Sequence, residues 1–227
     1  MNTSQIQCVG IIMDGNRRWA RERNLPVFDG HAEGYKRLQE TLRWTRDAGI
    51  KHAVVYAFST ENWQRSEEEV GYLMKLFRSI LESETNKMIE ERVRVRFIGD
   101  RTRFSEDFQK MMADMEAATA VKYDVTLHLL MSYGGRAEII AATNSLLASG
   151  VATITEDSFA EKLWLSPMPD PDLVIRTGGE KRLSNFLPWQ TVYSELFFSD
   201  SFWPDFSKEE FDAILAEFAA RERRHGK

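Results

Sequence analysis

Short β-rich apolar runs alternate along this chain with long amphipathic segments, and that alternation narrows its fold more than any other feature. Strand-length runs spaced by helical stretches are the pattern of successive βα units, which close a parallel sheet between layers of helix. The runs are Gln7–Met13, His52–Ser59, Val93–Gly99, Val125–Tyr133, Asp172–Thr177 and Glu195–Ser199. Most are apolar without interruption, as strands covered on both faces must be. Ser66 with Glu69 makes a capping-box signal, and Val70, Leu73, Met74, Phe77, Ile80, Leu81 and Met88 then recur at helical spacing, which predicts the longest helix. Ser207 with Glu210 repeats the signal ahead of Phe211, Ile214, Leu215 and Phe218, so the chain closes with a helix running into a basic end. No linker, repeat or low-complexity tract interrupts this order, which predicts a single domain over residues 1–227.

With 43% apolar and 29% charged residues, 227 residues suffice to bury one sizeable core. The net charge of −5, from 30 Lys plus Arg against 35 Asp plus Glu, excludes nucleic-acid binding driven by bulk charge. Any anionic ligand must therefore be held by a local basic site. The single cysteine, Cys8, excludes an internal disulfide and a cysteine-based zinc site, and fits a reducing, cytoplasmic setting. The apolar stretch from Cys8 to Met13 is too short for a secretory signal. Nowhere do 18 apolar residues run together, so no bilayer span is expected, while contact with a membrane surface stays open.

Ligands of open parallel sheets bind beyond the carboxyl ends of the strands, and those ends are unusually polar here. The first run ends in Asp14-Gly15-Asn16-Arg17-Arg18-Trp19. Two arginines in the first turn oppose the helix dipole unless an anion lies between them and the free amides; the other reading makes Asp14 an N-cap and leaves both arginines in water. The second run ends in Ser59-Thr60-Glu61-Asn62-Trp63-Gln64-Arg65, where Trp63 alone reads as core and Glu61 as surface charge. The fifth runs into Arg176-Thr177-Gly178-Gly179 and on to Arg182, Leu183 and Ser184, either a phosphate cradle or a solvated turn. Tyr133-Gly134-Gly135-Arg136 closes the fourth, and reads as a turn into a helix. Convergence of Arg, Gly and carboxylate on four strand ends favours an anion site. An acid beside it points to Mg²⁺, which binds through one or two carboxylates and substrate phosphates; Asp14 is the first candidate and Glu195 the second. Neither GxxxxGK[ST], nor GxGxxG after a strand, nor GxSxG is present. The four histidines show no metal-ligand spacing, and His52 and His128, inside strand patterns, read as core or interface.

MDGNRRWA at Met13–Ala20, GHAEGY at Gly30–Tyr35, YAFSTENWQR at Tyr56–Arg65, IGD at Ile98–Asp100, SYGGRAEI at Ser132–Ile139, and DLVIRTGGEKRLSNFLPWQ through YSELFF at Asp172–Phe198 resemble the cis-prenyltransferases. The motifs fall in order over nearly the whole chain and are most similar to those of bacterial undecaprenyl diphosphate synthases. The DDxxD of the helical trans-prenyltransferases is absent. The resemblance implies an α/β fold: a single domain with a six-stranded, mostly parallel sheet surrounded by helices and holding an apolar tunnel. It implies a homodimer, Mg²⁺, and repeated condensation of isopentenyl diphosphate onto an allylic diphosphate such as farnesyl diphosphate. The product would be a cis-polyprenyl diphosphate of up to undecaprenyl length, a cell-wall lipid carrier.

By matching position, Asp14 would serve Mg²⁺ and the departing diphosphate, with Glu195 as a further metal-linked acid. Gly15, Asn16, Arg17 and Arg18 would hold the allylic diphosphate, assisted by His31, with Trp19 in the same motif. Arg176, Arg182 and Ser184, with Leu183 between them, would bind isopentenyl diphosphate. Ser59, Thr60, Glu61, Asn62, Trp63 and Arg65 would line the reacting ends. Asn62 is the family's proton acceptor, but a neutral amide is a poor base, so here it orients substrate while a diphosphate oxygen or water takes the proton. Arg224-His225-Gly226 matches a terminal motif that reaches a site near the dimer interface. Leu73, Met74, Phe77, Leu81 and Leu129–Met131 are candidates for the tunnel wall.

Two departures stand out. Val27 occupies the place of an arginine that helps hold the allylic diphosphate, so it counts among the binding positions as a lost contact. Leu130, Met131 and Ser132 replace a small-small-Asn run, which would narrow the tunnel. An accessory subunit without activity and an irregular short-chain synthase are the competing readings. Retention of Asp14, Asn62, Arg176, Arg182 and Glu195 speaks against the first, and the ENW segment against the second. A phosphohydrolase with Asp14 as nucleophile would want an acid where Asn16 stands. The oily product makes a weak peripheral contact with the inner membrane face a fair expectation.

Overall fold

The structure, a computed structural model, describes residues 6–221. The six runs become β1 (Cys8–Ile12), β2 (His52–Ser59), β3 (Val93–Ile98), β4 (Val125–Tyr133), β5 (Leu173–Arg176) and β6 (Glu195–Phe198). They form one sheet in the order β3-β4-β2-β1-β5-β6, parallel throughout. Between them lie α1 (Asn16–Glu22), α2 (Val27–Asp47), α3 (Glu67–Ser83), α4 (Thr85–Glu90), α5 (Glu106–Thr119), α6 (Gly135–Ala148), α7 (Glu156–Ala160) and α8 (Lys208–Ala220). Side chains alternate across each strand. Val9, Ile11, Ala53 and Val55 point into the larger core with Leu38, Leu73, Phe108 and Phe211 from the helices. Cys8, Val54 and Leu130 point the other way, under Leu165, Phe186 and Leu187. No helix among the described residues is long and apolar enough to cross a membrane.

Two local expectations are corrected. The single helix predicted from Ser66 to Met88 is two, α3 and α4, breaking at Glu84. Ser83 Oγ donates to the Ser79 carbonyl at 2.7 Å and Thr85 Oγ1 to that of Leu81 at 3.3 Å, local bonds that bend helices. The longest helix is instead α2, with 21 residues. Its Gly30 and Gly34 lie one turn apart against α1, where a β-carbon would stand 2.1 Å from the Asn16 carbonyl oxygen and 2.3 Å from Asn16 Oδ1. The glycines of GHAEGY thus let the two helices touch backbone to backbone.

Irregularity concentrates where the strands end. The β2–β4 register shifts at Tyr56, Phe58 and Ser59, a bulge that re-aims the last residues of β2. At the β4 end, Glu138 of α6, 1% exposed, accepts from Tyr133 Oη at 2.6 Å, from Trp164 N at 2.9 Å and from Gln190 Nε2 at 3.0 Å. This buried carboxylate ties α6 to the 160–190 segment, and burial holds its pKa above the ordinary carboxylate range.

His128 is buried at the opposite end, 3.1 Å from His52, as expected of a core histidine. Burial first, and then the neighbouring His52, pull its pKa down to about 3. A folded pKa below the free value of ~6.5 means that both states are neutral above that pH, and that the unfolded chain alone gains the proton below it. Stability is therefore expected to fall by about 2–3 kcal/mol between pH 6.5 and 4 from His128 alone. Thermal midpoints across that range check this: His128→Asn should lose less than the parent, and equal slopes would contradict a neutral buried imidazole.

Candidate active site

The chain leaves β1 at Asp14 and enters α1 through Gly15, which takes the N-cap position expected for Asp14 and provides no side-chain cap. Asp14 is free to turn to the β5 end instead. Arg176 Nη2 donates to its Oδ2 at 2.8 Å, and Arg18 Nη2 lies 3.2 Å from its Oδ1. Thr177 Oγ1 donates to the Asp14 carbonyl at 2.7 Å. Arg176 is only 4% exposed, and its Nη1 also donates to Ser184 Oγ at 2.8 Å and to the Arg182 carbonyl. Arg182 itself reaches outward to Glu180.

The glycine pair in this loop works otherwise than a phosphate cradle. Gly178 N donates to the Ser201 carbonyl and Gly179 N to that of Ser199, both at 2.8 Å, so neither amide is left for an anion. Gly178, at φ +84°, instead clears space: a β-carbon there would stand 2.6 Å from Arg18 Nη2 and 3.1 Å from the Asp14 carbonyl.

Across the mouth, the 3₁₀ turn Thr60–Gln64 is held by a capping box of its own, in which Asn62 Oδ1 accepts from Ser59 N at 3.0 Å. The Asn62 carbonyl oxygen is thereby committed, and its amide NH₂ is the group left to act. Thr60 donates to Glu61 at 3.1 Å, and Asn185 Nδ2 to Glu61 at 3.0 Å; Asn185 Oδ1 accepts from Arg136 N at 2.9 Å. Arg65 donates to Glu69 of α3 at 2.7 Å. Ser66 does cap α3, accepting from Glu69 N at 3.3 Å, but the Glu69 carboxylate turns to the site rather than back to the cap. It lies 3.5 Å from Arg17 Nη1 and 3.9 Å from His31 Nε2. Burial, and after it Arg65, lower the His31 pKa to about 4, so His31 is neutral at pH 7.

Part of this set rims a cavity of about 490 Å³, while Arg176, Arg182 and Ser184, joined to it through Asp14, are not among the residues that line it, nor are Ser59, Thr60 and Glu61. Asp14, Gly15, Asn16, Arg17, Arg18 and His31 line it, joined by Asn62 and Arg65. Its deeper wall is apolar, with Leu73, Phe77, Leu81, Leu129 and Met131 as expected, whereas Leu130 faces the other core and Met74 packs outside the lining. Five buried side-chain polar atoms lack a hydrogen-bond partner among the described residues; two of them, Asn16 Oδ1 and His31 Nε2, belong to residues that line this cavity, and a third, Arg176 Nε, to the guanidinium that bonds Asp14.

Other expected residues stand elsewhere. Trp19 donates to Asp205 at 2.7 Å, with Arg23 stacked on its ring, outside the cavity lining. Trp63 packs on Phe58 and Phe104 and donates to Ser132 Oγ at 3.0 Å, and Leu183 packs into the second core. Val27 opens α2 one turn before His31 and does not line the cavity. Glu195 is not brought to Asp14 within the chain. It pairs in register with Leu173, which pairs with Val9, so it lies at the opposite end of the sheet, where it accepts from Arg221 at 2.6 Å. Arg224, His225 and Gly226 lie outside the described residues.

Among the described residues no three His, Cys, Asp or Glu gather as a ready-made cage for a metal. Asp14 alone, beside a basic mouth, fits Mg²⁺ shared with substrate phosphate oxygens, the mode in which one carboxylate suffices. Arg21, which lines the mouth one turn after Arg17, is not among the residues expected at the site, and the contacts of Glu69 with Arg17 and of Thr177 with Asp14 are not visible in the sequence. The i, i+4 spacing of Arg17 and Arg21 marks a shared helix face and was the available signal.

A family model described as "Putative undecaprenyl diphosphate synthase" matches residues 12–226. An isoprenyl transferase of Neisseria gonorrhoeae is 45% identical over 219 residues, 96% of this chain and 88% of that protein. The isoprenyl transferase of Aquifex pyrophilus is 44% identical over 219 residues, 96% of this chain and 95% of that one. Among solved structures, lavandulyl diphosphate synthase of Lavandula x intermedia, in complex with dimethylallyl diphosphate, superposes with a TM-score of 0.93 at 31% identity over 98% of each chain. A protein from Campylobacter jejuni described as a probable undecaprenyl diphosphate synthase superposes with a TM-score of 0.84 at 32% identity over the whole of both chains.

Proposed function

Because the chain belongs to the undecaprenyl diphosphate synthase family of prenyltransferases, we propose that it condenses isopentenyl diphosphate onto farnesyl diphosphate in cis, repeatedly, to undecaprenyl length. The observation that carries this reading is the pairing of a basic mouth at Asp14, where Asn16 Oδ1 and His31 Nε2 are buried without a hydrogen-bond partner among the described residues, and an apolar cavity behind it. An anionic head and a growing hydrocarbon tail need those two environments in that order. The dimethylallyl diphosphate held by the lavandulyl synthase, an allylic diphosphate, supports the substrate class.

In this reading Arg17, Arg18, Arg65 and the uncapped first turn of α1 bind the allylic diphosphate, with neutral His31 donating or accepting one hydrogen bond. Arg176, Arg182 and Ser184 bind isopentenyl diphosphate. As the allylic C–O bond breaks, negative charge grows on the leaving diphosphate, and these fixed positive groups stabilise it more than the ground state. Magnesium, held by Asp14 and the diphosphate oxygens, supplies further charge neutralisation when bound. The new C–C bond joins the allylic C1 to the terminal carbon of isopentenyl diphosphate, and a C2 proton leaves to a diphosphate oxygen or water. Asn62 orients the substrate through its NH₂, since its oxygen already accepts from Ser59 N. The chain acts as a homodimer at the inner membrane face in this account, Glu195 remaining a metal-linked acid only if brought to Asp14 from outside its own chain.

Incubation with Mg²⁺, labelled isopentenyl diphosphate and farnesyl diphosphate is expected to give a long labelled lipid on chromatography. Free phosphate alone, or no product, would overturn the reading. The likeness to lavandulyl diphosphate synthase favours one alternative, a short irregular product, which the same chromatogram separates by mobility.

Two substitutions follow from the lining. Met131, 2% exposed, faces the cavity, so Met131→Ala is expected to lengthen the product; Leu130→Ala is expected to leave length unchanged and to cost about 2–5 kcal/mol of stability. Equal lengths for parent and Met131→Ala would remove this role. Val27→Arg, one turn before His31, is expected to lower the allylic KM about tenfold, one charged hydrogen bond being worth roughly 1.5–3 kcal/mol. An unchanged or higher KM counts against the site.

A further inference from the structure

We propose that Glu69 is a positioning residue that holds Arg65 and Arg17, beside His31, in the geometry that receives the allylic diphosphate; this rests on reading the mouth as a diphosphate site. The capping-box pattern hides this role, since Ser66 with Glu69 reads as a helix start and nothing more. In the fold, Glu69 is 8% exposed, and four segments meet at its carboxylate. Arg65 follows the 3₁₀ turn and donates at 2.7 Å; Arg17 of α1 approaches to 3.5 Å and His31 of α2 to 3.9 Å; Glu69 itself sits in the first turn of α3.

All three partners line the cavity, and Glu69 does not. Two guanidinium groups converging from separate elements repel one another unless an anion lies between them. A buried carboxylate supplies that anion before any substrate arrives, so the groups are already in place when the diphosphate enters and less ordering remains to be done on binding. At 3.9 Å from the carboxylate, His31 Nε2 is beyond hydrogen-bond reach and has no other partner among the described residues, which leaves it uncommitted. Arg65, by contrast, has a short bond that fixes its side chain along the wall.

The test uses the full chain and inorganic pyrophosphate as probe, with calorimetric affinity and steady-state kinetics side by side. Glu69→Ala is expected to weaken pyrophosphate at least tenfold and to raise the allylic KM by a similar factor, with a smaller change in kcat and in the isopentenyl KM. Glu69→Asp, which keeps the charge on a shorter arm, is expected to recover part of both losses. Glu69→Gln keeps the shape and an acceptor but no charge, is expected to fall between Asp and Ala, and stands in if Ala does not fold. Pyrophosphate binding that is unchanged or tighter in a folded Ala or Gln variant would overturn the proposal, as would equal losses in Asp and Ala. Arg17→Ala and Arg65→Ala separate the two levels: if neither weakens pyrophosphate, the mouth itself is not a diphosphate site and the role of Glu69 falls with it. If both weaken it while Glu69 variants do not, only the positioning role is lost.

Discussion

Asp14→Asn is expected to lower kcat for polyprenyl synthesis at least about 100-fold, the scale seen when one pre-placed group is removed from developing charge. The amide is nearly the same size and its one oxygen can still accept from Arg176 or from Arg18, though not from both through separate oxygens, so the shape of the mouth is largely kept while its carboxylate is not. Metal dependence should change with it, because in the proposed reading Asp14 is the acid, among the described residues of the cavity lining, that would share a cation with a diphosphate. A second effect comes from Arg176, a buried guanidinium that loses its counter-charge. Removing one partner of a fully buried pair costs roughly 3–5 kcal/mol, and Asp14 is partly exposed, so about 1–3 kcal/mol is expected here. Steady-state kinetics and a thermal melt read the two effects separately. Parent-level kcat in the Asn variant would remove Asp14 from the chemistry.

The second large effect is expected at Arg176. Replacing it by methionine keeps most of the buried stem and deletes the charge, with the bonds to Ser184, Asp14 and the Arg182 carbonyl. Two charged hydrogen bonds at roughly 1.5 kcal/mol or more each amount to about 3 kcal/mol, near a 100-fold change. The loss should fall on the isopentenyl KM and much less on the allylic KM, since Arg17, Arg65 and His31 gather at Glu69 instead. Equal losses for both substrates would contradict the division of the mouth into two halves. An unchanged isopentenyl KM would contradict the β5 loop as a binding element.

The strands were legible because buried parallel strands write themselves as apolar runs: β2 and β4 have the bounds the pattern predicts, β3 and β6 end one residue earlier, and β1 and β5 are one residue shorter at each end. Helix α2 was not, although it is the longest. Its buried face is made by Gly30, Gly34, Leu38, Thr41, Leu42 and Thr45, so close backbone contact and threonine hydroxyls returning to the helix carbonyls replace the apolar stripe that periodicity detects. At the site, residue types read correctly as a set while their tasks did not. The Gly178-Gly179 pair reads from sequence as either a phosphate cradle or a solvated turn, and Gly178 is a spacer under Arg18 and Asp14. Glu69 looked like a cap and sets its carboxylate against Arg17 and Arg65, which line the mouth. Trp63 sits inside a binding motif yet packs as core, as its residue type alone suggested. Glu195 could not be placed from spacing at all, because strand register, not distance along the chain, decides which end of the sheet a residue occupies.

A crystal structure with Mg²⁺, isopentenyl diphosphate and a thiolo analogue of farnesyl diphosphate tests the central claim most directly. The expected result is two diphosphates side by side at Asp14, one against Arg17, Arg65 and the start of α1, the other against Arg176, Arg182 and Ser184, with the farnesyl chain running toward Phe77 and Met131. Diphosphates bound away from Asp14, or a farnesyl chain lying outside the cavity, would contradict it.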